Sequence, residues 1–313
     1  MESEQFGNFS NLTFDATSSA HYIIQDVIFT ILCFVAMLAN VGLIYTIFHF
    51  RRMRTVPNLI LANWAIADLS CLLTTPSTYR LIALMDNISL SSLFMCSLYE
   101  IGNTAQVATL FFAILLSIDW YIAAYFENTS KTFRKYMKFY LAVLWVCMFC
   151  VLCIGVVYCV YNYFANFVLA TIIFFSYCAL FLFIIIAQMC NCVRRCKSRR
   201  VTYPKLMLNV ATAFTISWFF GFVNFFIMTA VNKYYRIVEI ISSILVFCTS
   251  IIIFMIMYRQ DNDFHACINN VLRRDRSGYE EANFDFRTPV RKPIVKNGAQ
   301  CLFSNKDQNV FMY

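Results

Sequence analysis

Asp68 is a carboxylate set inside an apolar run, Ala65-Ile66-Ala67-Asp68-Leu69. A charge in such a run is costly to desolvate and is usually functional. It can hold a cation with neighbouring oxygens, or be kept as a hydrogen-bonded acid; both readings stand at this level. A second apolar run ends in Asp119-Trp120-Tyr121. Phe214 and Trp218 lie four residues apart, on one face of a helix. Cys190, Cys192 and Cys196 form C-x-C-x3-C in a basic stretch without a nearby His or acid, so a zinc site is not expected. His21, His49 and His265 all fall at the edges of apolar runs. No Ser-His-Asp set, metal cluster or phosphate-binding loop is evident. The chain is therefore expected not to be an enzyme, and no cofactor is expected apart from a structural sodium ion at Asp68.

These residues are positioned by seven apolar stretches, roughly 22–48, 58–79, 95–125, 139–158, 164–189, 206–230 and 237–258. Each is long enough to cross about 30 Å of hydrocarbon as a helix. Composition agrees: of 313 residues, 60% are apolar and only 13% charged, about half the charged share of a soluble domain. Seven Gly and five Pro leave little room for a β-barrel or a low-complexity linker. The expected fold is an all-α membrane protein, a seven-transmembrane-helix bundle with a short amphipathic eighth helix.

Cations set the orientation. Arg51, Arg52, Arg54, then Lys131, Arg134, Lys135, Lys138, then Arg194 to Lys205, and the residues after Tyr258 all fall on one side. Only Arg80, Lys233 and Arg236 fall on the other. The positive-inside rule puts the N-terminus outside and the C-terminus in the cytosol. The net charge of +8 is then a topological signal and does not call for nucleic acid. Glycosylation sequons at Asn8, Asn11 and Asn87 fall outside, and the one at Asn128 inside. Residues 1–21 read as an outer arm without a signal peptide, 22–258 as the bundle, 259–274 as a membrane-surface helix and 275–313 as a cytosolic tail. The 262–274 stretch places Phe264, Cys267, Ile268 and Val271 on one face, so Cys267 is a palmitoylation candidate.

Several motifs, in order, resemble those of the rhodopsin-like G-protein-coupled receptors. Ala39-Asn40-Val41 is similar to Gly-Asn-x-x-Val. The run from Asn58 to Ala67-Asp68-Leu69 resembles N-L-x-L-x-x-L-A-x-A-D-L. Leu116-Ser117-Ile118-Asp119-Trp120-Tyr121-Ile122-Ala123 resembles L-S-I-D-R-Y-x-A, with Trp for Arg. Trp145, the pair Phe214 and Trp218, and Tyr258 followed by Phe264 match further family positions. The resemblance implies a plasma-membrane receptor for an extracellular ligand. It also implies an activation core of Asn40, Asp68, Asp119, Trp120, Tyr121, Phe214, Trp218 and Tyr258, and signalling by outward movement of the sixth helix to a heterotrimeric G protein or arrestin. It implies sodium at Asp68 with Asn40, Thr109 and Ser250, and a disulfide between Cys96 and Cys159, the latter in a short outer loop. The ligand pocket it implies holds Gly102, Asn103, Gln106, Trp218, Asn224 and Glu239, with Glu100 at a mixed-charge rim. Gly102 stands where amine receptors carry an Asp, so an amine is not expected; a short peptide or a lipid-like ligand fits.

The departures are as specific. Trp120 replaces the Arg of D-R-Y, Phe254-Met255 replaces the Asn-Pro of N-P-x-x-Y, Phe220 replaces the Pro of the sixth helix, and the fifth helix has no Pro. Asp119 must then find a loop cation such as Lys131 or Arg134. Trp120 either packs under the sixth helix or anchors at the membrane interface. The alternative function is a receptor that binds ligand without coupling: a scavenger, scaffold or partner subunit. A transporter would need more charge inside the membrane, and a retinal receptor a Lys in 237–258, which is absent.

Overall fold

The structure, a computed structural model, describes residues 16–75, 92–161, 166–197, 205–231 and 236–273. Among the described residues the chain forms nine α-helices and no strand. They are α1 (Ala16–His49), α2 (Val56–Leu73), α3 (Ser92–Tyr125), α4 (Glu127–Lys135), α5 (Met137–Tyr161), α6 (Asn166–Lys197), α7 (Lys205–Val231), α8 (Arg236–Gln260) and α9 (Asn262–Arg273). A 3-10 turn at Arg51–Met53 joins α1 to α2. Seven helices, all but α4 and α9, are long and apolar enough to cross a membrane.

Local chemistry fixes several ends. Thr55 is the extended N-cap of α2 and Pro57 occupies its first turn, where a missing N–H costs nothing. The helix stops at Leu73. Thr74 Oγ1 bonds back to the Ser70 and Cys71 carbonyls, and Pro76 follows in the sequence, which disfavours helical backbone at Thr75. The second stretch was expected to run to 79; its residues beyond 75 lie outside the described ones. α6, α7 and α8 run without a break, as the lack of internal Pro allows.

α4 is the element the sequence did not announce. It has no apolar run, but Ser130 is buried and Phe133 packs on the core while Lys131 and Lys135 stay exposed. Arg134 and Lys135 lie in its last turn, where cations suit the helix dipole.

α3 is central and packs on α2, α5, α6 and α7; α1 closes the ring between α2 and α8. The bundle is inside-out by the standards of a soluble protein. Asn40, Asp68, Thr109, Ser117, Thr215 and Ser250 are buried, while Phe34, Phe149, Phe175 and Ile186 are exposed. That is the distribution expected when lipid is the solvent. Small residues allow close approach. A side chain on Gly42 would meet the Phe254 ring at 3.0 Å, and one on Gly221 would meet Val246 at 3.3 Å. Phe254, in place of the expected Asn, thus leans over Gly42 of α1 and meets Phe264 edge-on at 5.6 Å between centroids.

Candidate functional site

Asn40 on α1, Asp68 on α2 and Ser250 on α8 meet in the core, each at most 1% exposed. Asn40 Nδ2 donates to Asp68 Oδ2 at 2.7 Å, and Ser250 Oγ donates to the same oxygen at 2.5 Å. Asn40 Nδ2 also lies 3.3 Å from Ser250 Oγ. Asp68 Oδ1 and Asn40 Oδ1 are left buried with no hydrogen-bond partner. Orphaned hard oxygens of this kind suit a small cation or water. Thr109 is fully buried too, but its hydroxyl donates to the Gln106 carbonyl at 2.7 Å, within its own helix.

At the end bearing most of the cations, called here the basic end, Asp119 is 2% exposed. Arg134 of α4 clasps it, Nε to Oδ1 at 2.9 Å and Nη2 to Oδ2 at 3.0 Å. Arg134 is one of the loop cations expected for Asp119. Trp120 is 5% exposed and belongs to the core that includes Met207, Leu208 and Ala211 of α7. The interfacial-anchor reading of Trp120 is therefore corrected: the indole is inside. Tyr121 is the exposed member of the triplet; it meets Phe183 edge-on and Tyr125 at a tilt.

Phe214 and Trp218 stack at 5.6 Å with both rings buried. Trp64 meets Phe214 edge-on, and Trp218 continues through Phe222 to Tyr177 of α6. Tyr177 donates its hydroxyl to the Thr215 carbonyl at 2.5 Å. A small apolar cavity beside Phe214 is lined by Ile60, Trp64, Leu116, Val210 and Ile253 among others. Towards the basic end, α7 is tied on both sides. Gln188 of α6 donates to Thr212 at 2.7 Å, and Asn209 donates to Gln260 of α8 at 2.8 Å. Nothing in the sequence signalled these two ties, because they depend on how each helix is rotated.

The residues expected to line a pocket divide. A Cβ on Gly102 would lie 2.9 Å from Thr74 Oγ1, so Gly102 is a close contact with α2. Glu100, expected at the rim, instead points at α5: a Cβ on Gly155 would lie 2.5 Å from its Oε2. Trp218 and Asn224 are buried on α7; Asn103, Gln106 and Glu239 are half-buried. Cys159 lies in the last turn of α5, and α6 begins at Asn166, so Cys159 belongs to a helix and not to the expected loop. The side chains of Cys96 and Cys159, and all of Asn8, Asn11 and Asn87, lie outside the described residues.

α9 starts on Asp261, whose Oδ1 accepts from the backbone N–H of Asp263 at 2.9 Å and Phe264 at 3.1 Å, an N-cap. Burial raises the Asp261 carboxyl above the usual range despite those donors. Arg52 pairs with Asp263 at 2.7 Å, His265 stacks on Tyr258, and Tyr258 donates to Asn269 at 3.1 Å. The apolar face of α9 is turned to the bundle: Phe264 is 0% and Cys267 5% exposed. Burial pushes the Cys267 thiol up to about 11. The thiol expected as a palmitoylation candidate therefore lies on the face of α9 that packs on the bundle.

No family model matches the chain. Over 121 residues it is 24% identical to somatostatin receptor type 4 of Rattus norvegicus. That match covers 39% of this chain and 31% of the rat receptor. The seven long apolar helices are those of a multi-pass membrane protein.

Proposed function

We propose that the chain is a plasma-membrane receptor of the G-protein-coupled kind, with its N-terminus outside and its basic end in the cytosol. One observation carries the reading. α7 holds the buried Phe214–Trp218 stack and, on its cytosolic part, the ties from Thr212 to Gln188 and from Asn209 to Gln260. A ligand that displaces the stack strains a helix whose far end is held by two polar contacts. Those contacts can open and let that end swing outward. A ligand achieves this only by binding the open and closed bundles unequally. The ligand is a short peptide or a lipid-like molecule. Asp68 Oδ1 and Asn40 Oδ1 would hold a sodium ion that favours the closed bundle. Glycans at Asn8, Asn11 and Asn87 and a Cys96–Cys159 bridge belong to the same reading.

A second reading rests on Trp120, a buried indole where the resembled family has an Arg: the receptor binds ligand but does not couple. Guanine-nucleotide exchange on added heterotrimeric G proteins, in membranes holding the wild-type chain or Trp120→Arg, separates the two. Exchange by the wild type supports the signalling receptor. Exchange by Trp120→Arg alone supports the non-coupling one.

A further inference from the structure

We propose that Cys190 and Cys192, at the cytosolic end of α6, are S-acylated by a long-chain fatty acid. Both thiols are exposed and free. They close the apolar window Thr171–Cys192, so they sit at the depth where hydrocarbon gives way to water. The residues leading to them, Leu182, Ile185, Ile186 and Met189, are exposed and form the face that meets lipid. Immediately after them the chain reads Arg194-Arg195-Cys196-Lys197, which draws polyanionic acyl-coenzyme A and anionic headgroups to the site. Five other described cysteines each fail a condition. Cys147, Cys150 and Cys153 are exposed but lie mid-way along α5, away from any aqueous donor. Cys33 and Cys267 are buried.

The step balances. A cysteine thiolate attacks the thioester carbonyl of the acyl-coenzyme A, a new sulfur–acyl bond forms, and the carbon–sulfur bond to coenzyme A breaks. Coenzyme A leaves as its thiol with the proton lost by the cysteine, and nothing is oxidised or reduced. The attached chain lies in the bilayer beside Met189, close to the Gln188–Thr212 tie.

The inference rests on the orientation proposed above, because the acyl donor is cytosolic. The test is hydroxylamine-dependent exchange of acyl groups for a polymer mass tag on the full chain from mammalian cells. N-glycosidase digestion of the same sample reports independently whether the N-terminus faces outward. The wild type is expected to gain one or two tags. Cys190→Ser/Cys192→Ser is expected to gain none, at unchanged surface delivery, and Cys267→Ser to keep them all. Cys190→Ala/Cys192→Ala repeats the test should the serine variant fail to reach the surface. An untagged wild type, tags that survive the double substitution, or tags lost with Cys267→Ser would each overturn the proposal. Loss of the glycosidase shift would overturn the orientation instead.

Discussion

Arg134 holds Asp119 through a two-point clasp, with both nitrogen–oxygen distances near 3 Å. The carboxylate is buried and the Arg134 side chain is 21% exposed. The clasp pins α4 to the end of α3 at the position where the resembled receptors pair this Asp with the next residue in sequence.

Removing the cation alone leaves a buried acid unpaired. Arg134→Ala is expected to lower stability by about 2 kcal/mol, between the values for surface and for fully buried pairs. Arg134→Lys restores only part of it, because an ammonium cannot make the two-point contact. Thermal unfolding in nanodiscs, run as a double-mutant cycle with Asp119→Asn, reads the coupling. Coupling near zero would mean that the clasp is ornamental.

At Asp68 the two orphaned oxygens predict a salt-specific effect. Replacing potassium by sodium chloride is expected to raise the melting temperature of the wild type and leave Asp68→Asn unmoved, since binding only to the folded state stabilises it. Equal shifts in both proteins would remove the cation from the account.

Gly102 distinguishes a helix contact from a pocket wall. Gly102→Ala puts a methyl 2.9 Å from Thr74 Oγ1 and is expected to cost about 1–3 kcal/mol, the range for overpacking. Thr74→Ala in the same chain recovers most of that. A neutral Gly102→Ala would show open space there.

The start of α9 predicts a pH dependence. The folded-state value of Asp261 is raised, so its contribution is fully present below the ordinary carboxylate range and is lost as pH rises through the raised value. Asp261→Asn keeps the cap acceptor without the buried charge. It is expected to equal the wild type at low pH and exceed it at neutral pH, whereas Asp261→Ala loses about 1 kcal/mol through the cap. Chemical labelling tests the same helix. With its thiol pushed up to about 11, Cys267 is expected to be alkylated by maleimide at pH 7.5 far more slowly than the free thiol of a short peptide.

How much of this was legible in the sequence depends on the distance over which each feature is encoded. The seven apolar runs are local, and all seven appear as helices, though their ends move by several residues. Asp68 and Asp119 were readable because a carboxylate beside apolar neighbours needs partners, and the partners Asn40, Ser250 and Arg134 were among the few polar groups within reach. The surroundings of Cys267 were not legible, because a stripe on a short amphipathic helix specifies that one face is covered, not whether bundle or lipid covers it. Gly102 misled because a residue without a side chain carries no mark of the direction it faces. α4 was missed for want of an apolar run: a buried Ser130, a packed Phe133 and the Arg134–Asp119 clasp seat its nine residues against α3 and α5.

The most direct test of the central claim is basal guanine-nucleotide exchange by the double variant Gln188→Ala/Asn209→Ala, measured in membranes beside the wild type at matched surface density. If these two ties hold α7 closed, the variant stimulates exchange several-fold above wild type without any ligand. Exchange equal to that of membranes lacking the receptor would contradict the claim that α7 is the moving, signalling element.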